Sequence, residues 1–402
     1  MDLKSGYPYW IVRNGLNFQF PRLERDVECD VAVIGAGITG ALIARELAAG
    51  GHDVVVLDKR DAAWGSTSAS TAMIQYEIDT ELVELARLIG TRSAVASYRA
   101  CEAAIGQLGE IAATVPGSRF EPAASLYLAS HRWHAPRLRR EADMRRRHGF
   151  AVETLEHADV KAAYGLDASL ALLTPTAGQV DPYRMARGLL KSLRGKGVRV
   201  FDRSEVVERV DGSRFVDLRT SEDVHVRCRH VVVAAGYESQ PLLPQRVARN
   251  RSSYALVTEP VRDIPDWLRE TLIWESSRPY LYVRTTTDGR LLVGGEDDRV
   301  DIPLRRDARV ASKADTLLKR LRQWLPDLTL EPGFAWAGTF AETKDGLPFF
   351  GAHPALDRRV LFAMAYGGNG IIYSVIGAEL LRATIERRRH PLRTLFSFAR
   401  LG

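Results

Sequence analysis

The chain has 402 residues, a length that suits two or three domains rather than one. Its composition, 46% hydrophobic and 26% charged, is that of a globular protein and excludes collagen, coiled coil and wholesale disorder. The net charge of +6 invites a nucleic-acid reading, but the excess is local: seven arginines fall between Arg132 and His148 and six between Arg382 and Gly402, leaving the remainder slightly acidic.

Cys29, Cys101 and Cys228 are far apart in sequence and form no CxxC pair, so neither a disulfide framework nor a metal site is expected, and a cytoplasmic protein is. The N-terminus lacks the plan of a signal peptide. The longest apolar stretch, 31–47, is interrupted by Arg45-Glu46, so no membrane span is expected.

In chain order, residues 1–27 read as an irregular lead-in. Asp30-Val-Ala-Val-Ile34 reads as a strand, Gly35-Ala-Gly37-Ile-Thr-Gly40 as a turn, 41–49 as a helix capped by Gly50-Gly51, and Val54-Val-Val-Leu57 as a second strand ending at Asp58. Residues 78–112 have helical spacing, and 132–148 form a second helix whose arginines read as a solvated face. A strand precedes Thr174, a helix covers 183–196, and strands follow at 198–201 and, as a hairpin, at 224–235. The span 252–296 is β-rich, and 308–325 is helical. Val360-Leu-Phe-Ala-Met364 is a strand, and the loop Gly367-Gly-Asn-Gly370 opens a long last helix.

The first of these units points to chemistry. GxGxxG between strand and helix, with an acid closing the next strand, is a dinucleotide fingerprint. Gly35 makes the turn, Gly37 admits a pyrophosphate, and Gly40 lets helix and strand pack. The helix N-terminus offers unpaired N–H groups, and Asp58 suits ribose hydroxyls, which disfavours a 2′-phosphate. Gly65-Ser-Thr-Ser-Ala-Ser-Thr71 is a small, hydroxyl-rich loop suited to a pyrophosphate or ribityl chain, or to plain surface.

With these motifs, Gly178-Gln-Val-Asp-Pro-Tyr183, Val231-Val-Val-Ala-Ala-Gly236, Asp345-Gly-Leu-Pro348 and Tyr366-Gly-Gly-Asn-Gly-Ile371, the chain resembles the FAD-dependent amino-acid and amine oxidoreductases of the D-amino-acid oxidase/sarcosine oxidase superfamily. The lead-in Glu28-Cys-Asp-Val-Ala-Val33 is most similar to the bacterial branch of γ-glutamylputrescine oxidase type. The resemblance implies a mixed α/β and α+β fold. A Rossmann-type FAD domain (1–75, 176–245, 336–402) would interleave with an antiparallel β-sheet substrate domain (76–175, 246–335).

The resemblance further implies that FAD meets Gly35, Gly37, Ile38, Thr39 and Gly40, then Asp58, Lys59 and Arg60, then Ser66, Thr67, Ser68, Thr71 and Ala72. Val206 would meet the adenine, and Ala235 and Gly236 would lie near the cofactor. Gly338, Asp345, Gly346 and Leu347 would also meet the cofactor, and the run Gly367, Gly368, Asn369, Gly370 and Ile371 would lie against the flavin. The dipole of the last helix would favour negative charge on the flavin pyrimidine edge.

Four positions depart from the sarcosine-oxidising pattern. Gly338 stands where a cysteine attaches FAD, so FAD is expected to be noncovalent; Gln75 and Ile372 stand where Arg and Lys hold a substrate carboxylate; and an oxygen-activating base is replaced near Leu292. Arg284 is a candidate replacement cation or an exposed strand residue, and Met73, Gln75, Tyr254 and Tyr282 are candidate pocket residues.

The expected reaction removes a hydride from the carbon bearing an amine onto flavin N5, giving an imine, without an obligatory catalytic base. The partners are a small amine or amino acid and oxygen or another acceptor; a homo- or hetero-oligomer is open, and nucleic acid is not expected. The alternatives are an FAD-dependent hydroxy-acid or glycerol-3-phosphate-type dehydrogenase, and a nucleic-acid-associated flavoprotein carried by the Arg132–Arg147 cluster.

Overall fold

A computed structural model describes residues 2–118, 120–299 and 301–401. Its seventeen strands are β1 (Val27–Ile34), β2 (Val54–Leu57), β3 (Met73–Gln75), β4 (Glu121–Leu128), β5 (Glu153–Glu156), β6 (Leu170–Gln179), β7 (Val198–Phe201), β8 (Val206–Asp211), β9 (Val216–Thr220), β10 (His225–Val233), β11 (Arg249–Thr258), β12 (Thr271–Glu275), β13 (Leu281–Thr285), β14 (Leu291–Asp298), β15 (Pro332–Glu342), β16 (Phe349–Ala352) and β17 (Val360–Met364).

One sheet runs β16-β17-β10-β1-β2-β7, with the β8–β9 hairpin attached to β10. The contacts among β17, β10, β1, β2 and β7 are parallel. Alternate side chains enter two cores: Val31, Val33, Val54 and Val56 face the helices, while Ala32, Val55, Leu57 and Val231 face the opposite layer. On the helix side, Ile38–Ala49 lies between the last helix, Gly370–Ile385, and Pro182–Leu193.

The second sheet runs β15-β11-β14-β13-β12-β4-β6-β3, with β5 on β6, and is antiparallel except for β12 beside β4. The amphipathic helix Val310–Trp324 packs on one face and buries Leu317, Leu318 and Leu321. Each such side chain contributes about 1.5–3 kcal/mol of hydrophobic stabilisation. The opposite face carries Tyr282, Trp274 and Gln75 towards a cavity between the sheets.

The structure differs from the sequence expectations in several places. The expected domain boundaries at 175 and 335 fall inside β6 and immediately before the centre of β15, both strands of the second sheet. The lead-in is ordered: helix Tyr9–Asn14 forms, and residues 3–5 bond to β15 through Leu3, Lys4 and Ser5. The helical span 78–112 is two helices, Leu82–Ile89 and Thr91–Ala113, parted at Gly90. The hairpin expected within 224–235 is a single strand, β10, whose antiparallel partner β9 lies earlier in the chain.

The arginine-rich helix also departs from a uniformly solvated face. Arg145 is fully buried and bonds Glu141 at 2.8 Å and Glu77 at 3.4 Å. Glu141 in turn accepts the Leu82 and Val83 N–H groups at 2.9 Å each and so caps the helix Leu82–Ile89. Cys29 and Cys228, 199 positions apart in sequence, are register partners in β1 and β10; both are free thiols. No described helix is long and apolar enough to cross a membrane.

Candidate functional site

A cavity of about 650 Å³ lies between the sheets, within the range that holds small molecules and cofactors. At one end is the turn after β1. Gly35 has φ +116°, and a Cβ there would sit 2.3 Å from the Ala234 carbonyl oxygen. Gly40 does not line the cavity; a Cβ there would sit 1.8 Å from the Gly35 carbonyl oxygen, so its role is helix–turn packing. Thr67 Oγ1 accepts the Ile38 N–H at 3.0 Å and fixes the hydroxyl loop against the helix N-terminus.

Asp58 closes β2 and accepts the Ala36 N–H at 2.7 Å and the Arg60 N–H at 2.8 Å. Its carboxyl opens to the cavity but is otherwise enclosed by protein, and that burial outweighs these bonds and raises its pKa to about 6. Nearby, Glu238 bonds Arg60 and Lys59, each at 2.9 Å. Burial opposes its charge, but the hydrogen bonds from Arg60 and Lys59 hold its carboxyl at about 2.

The hydroxyl loop is clamped from behind. Trp336 donates to Ala69 O at 2.9 Å, Trp10 to Ser70 O at 2.8 Å, and Arg284 Nε to Thr71 O at 2.6 Å. Three successive carbonyls are thereby satisfied by the surrounding protein, while Ser66, Thr67 and Thr71 line the cavity. Ser66 Oγ is buried without a hydrogen-bond partner. An orphaned hydroxyl on a cavity wall fits a ligand with acceptor atoms.

At the other end, Asn369 donates to Gln75 O at 2.8 Å and Glu77 O at 2.9 Å, and Asp79 accepts the Gly368 N–H at 2.8 Å. These bonds tie the N-terminus of the last helix to the loop after β3. Tyr127 stacks on Trp274 with ring centroids 3.7 Å apart, and Tyr280, Tyr282 and Arg278 complete this region.

Most sequence-predicted residues line this one cavity: Gly35, Gly37, Ile38, Thr39, Asp58, Lys59, Arg60, Ser66, Thr67, Thr71, Ala72, Met73, Gln75, Val206, Ala235, Gly236, Tyr282 and Gly367 through Ile371. Others do not. Ser68 Oγ donates to Trp64 O and Gly65 O. Gly338 lies within β15 opposite Ser253, and Leu347 is fully buried. Asp345 bonds Arg400 at 3.0 Å, and Gly346 O accepts the Tyr373 hydroxyl at 2.8 Å.

Tyr254 is buried away from the cavity and donates to Asp298 at 3.0 Å. Arg284 is not an available cation: besides Thr71 O, it binds Gln179 Oε1 and Val180 O at 3.1 Å each. Burial lowers its pKa to about 10, with Asp181 opposing the fall. Sequence reasoning missed Asp79, Tyr127, Tyr237, Glu238, Trp274, Arg278 and Tyr280; they come from separate loops and strands and share no local motif.

The glycine turn, the enclosed acid, the orphaned hydroxyl and the two helix N-termini on one elongated cavity fit an FAD molecule. Comparison with known proteins agrees. Residues 30–384 match the family model described as DAO, FAD dependent oxidoreductase. The chain is 29% identical over 374 residues to glycine oxidase of Geobacillus kaustophilus, covering 89% of this chain and 93% of that protein. It is 25% identical over 400 residues to gamma-glutamylputrescine oxidoreductase of Escherichia coli, covering 92% and 87%. The crystal structure of the Geobacillus glycine oxidase superposes with a TM-score of 0.76 at 23% identity, covering 92% of this chain and 98% of that one, and so shares its fold. The family match spans most of the chain, which belongs to the DAO family of FAD-dependent oxidoreductases.

Proposed function

We propose that this protein oxidises the C–N bond of an amine or amino acid to an imine, which hydrolyses to a carbonyl compound. The observation that carries this reading is the single cavity joining the β1 glycine turn to the Gly367–Gly370 loop and the Tyr280–Tyr282 wall of the second sheet. The relatives named for glycine and gamma-glutamylputrescine oxidation support the substrate class.

Gly35, Gly37, Ile38 and Thr39 would hold the pyrophosphate, Asp58 a ribose, and Val206 with Ala235 and Gly236 the adenine side. Ser66, Thr67, Thr71 and Ala72 would hold the ribityl chain, and Gly367 to Ile371 the flavin pyrimidine. In this reading the first sheet carries the nucleotide and the second covers the substrate. Bound FAD supplies a hydride acceptor at N5. The protein's part is to bind and orient the substrate C–H bond and to exclude water, with Tyr280, Tyr282 and Trp274 forming an apolar wall. Oxygen or another acceptor would take the electrons.

No cysteine or histidine among the described residues lines the cavity, which supports noncovalent FAD. The three free thiols are consistent with a reducing cytoplasm. Anaerobic mixing with amines, amino acids and hydroxy acids tests the reaction: amines or amino acids should bleach the flavin, and bleaching by hydroxy acids alone would overturn the reading. Acid precipitation should release all the yellow colour, whereas colour in the pellet would refute noncovalent binding.

A further inference from the structure

The segment ahead of the helix Tyr9–Asn14 supplies part of the cavity wall. Leu3 is buried and lines the cavity, although it belongs to neither the glycine turn nor the hydroxyl loop. Its Cδ1 would lie 3.8 Å from a Cβ at Gly65, so it sits over the start of that loop. Trp336, Trp10 and Arg284 hold the loop through the carbonyls of residues 69–71. Leu3 instead adds an apolar side chain to the cavity wall beside Gly65 and Ser66.

Residues 3–5 reach this position as an added edge strand. Thr339 N–H donates to Leu3 O at 2.8 Å, Ser5 N–H to Ala337 O at 2.9 Å, and Ala337 N–H to Ser5 Oγ at 2.7 Å. Lys4 pairs with Gly338 in antiparallel register. β15 is the terminal strand of the second sheet, so the segment covers its open edge. The buried Arg306 donates to Asp2 O at 2.9 Å and to Thr339 Oγ1 at 3.0 Å and pins the same segment.

This attachment is short, and it seats a charge. Lys4 is buried, and its Nζ has Gly6 O at 2.8 Å and the Trp64 ring centroid at 4.6 Å as partners, with no carboxylate of the described residues within ion-pair distance. Burial pushes its pKa below the ordinary value. A three-residue edge strand that buries a cation without a counter-ion is drawn from the low-stability end of a fold. It joins the edge of the second sheet to the hydroxyl loop, and its opening would expose the wall above Gly65 and Ser66.

We propose that residues 2–7 are a strap that closes over bound FAD, with Leu3 as its cofactor contact, and that FAD enters and leaves when the strap detaches from β15. This rests on the FAD site and not on the amine-oxidation reading. Hydrogen exchange of the full-length apoprotein and holoenzyme tests the closure. The Ser5 and Thr339 amides should exchange about 10- to 100-fold more slowly with FAD bound, because the cofactor holds the strap shut.

Leu3→Ala should release FAD about 10- to 100-fold faster, the range for the burial of one leucine side chain, as read from the rise of flavin fluorescence on dilution. Ser5→Pro removes the N–H bound to Ala337 O and should speed FAD release and FAD uptake together, as a loosened gate does. Equal exchange of the two amides in apoprotein and holoenzyme, or wild-type FAD release from both variants, would overturn the proposal. So would an equal fall in melting temperature of Leu3→Ala with and without FAD, because Leu3 would then pack the fold and not the cofactor.

Discussion

The two ends of the cavity are built by opposite means. At the Asp58 end, residues 34–40 and 57–60 come from one strand–turn–helix–strand unit whose spacing is fixed by local geometry. At the Arg278 end, Asp79, Tyr127, Trp274, Arg278, Tyr280 and Gly368 come from separate loops and strands up to 289 positions apart. The first end is stiff because its glycines leave no room for alternatives. The second depends on tertiary register and on a buried ion cluster beneath it. Substitutions at the first should abolish flavin binding, and substitutions in the aromatic wall or the ion cluster of the second should change stability or substrate handling while flavin remains.

The largest expected effect is at Gly35. Gly35→Val places a β-branched residue at φ +116° with its Cβ 2.3 Å from a backbone carbonyl. Strain of that kind costs upward of about 3 kcal/mol. The protein should be recovered without flavin and with a lowered urea midpoint; a normal flavin-to-protein ratio would refute the assigned turn.

Next is the ion cluster under the other end. Arg145→Met leaves Glu77 and Glu141 buried without their cation, a loss of about 3–5 kcal/mol. Because Glu141 caps the helix that follows Asp79 and Glu81, the damage should spread to the Arg278 end. The variant should melt earlier yet still bind FAD at one per chain. Wild-type stability would show that the arginine is dispensable and that the solvated-face reading was adequate after all.

Asp58 gives a smaller, pH-dependent effect. Its folded pKa of about 6 lies above the ordinary 3.8, so between those values the folded apoprotein holds a proton that the unfolded chain has lost. Its contribution to apoprotein stability is therefore present below about pH 4 and is lost as pH rises to about 6. Ribose hydroxyls donate to the carboxylate and favour its ionised form. FAD affinity of the apoprotein should accordingly rise with pH up to about 6 and then level off. Asp58→Asn should flatten that profile and weaken binding about 10- to 100-fold. A wild-type profile flat from pH 4 to 8 would contradict the enclosed-carboxylate account.

The same contrast governs what was legible in the sequence. GxGxxG with Asp58, the hydroxyl loop and Gly367–Gly370 could be read because turns and helix starts demand particular residue types at short spacing. Arg145 could not, because an arginine among arginines carries no signal of burial. Asp79, Trp274 and Arg278 could not, because nothing local marks which loops will meet. Cys29 beside Cys228 is the plainest case: only the β1–β10 register makes them neighbours. In sequence Arg284 is a strand residue able to replace a missing cation, and its use as a support for Thr71 O needs the position of the loop.

Two tyrosines supply the smallest and sharpest test. Tyr254 and Tyr282 sit on β11 and β13, flanking β14, and composition makes them equal candidates for the substrate wall. Register separates them. Tyr254 and Leu281 are both paired with Gly295, whereas Tyr282 is paired with Gly294. A shift of one residue reverses the face. Tyr254 therefore joins Leu281 in the core under the helix Val310–Trp324, and Tyr282 turns to the cavity across Gly294. Tyr254→Phe should cost about 0.5–1.5 kcal/mol through its lost bond to Asp298 and leave KM unaltered. Tyr282→Phe should do the reverse, with a near-normal melting point and a shifted KM. If Tyr254→Phe moved KM and Tyr282→Phe did not, the face assignment of the second sheet would be inverted, and with it the wall on which Arg278 and Tyr280 stand.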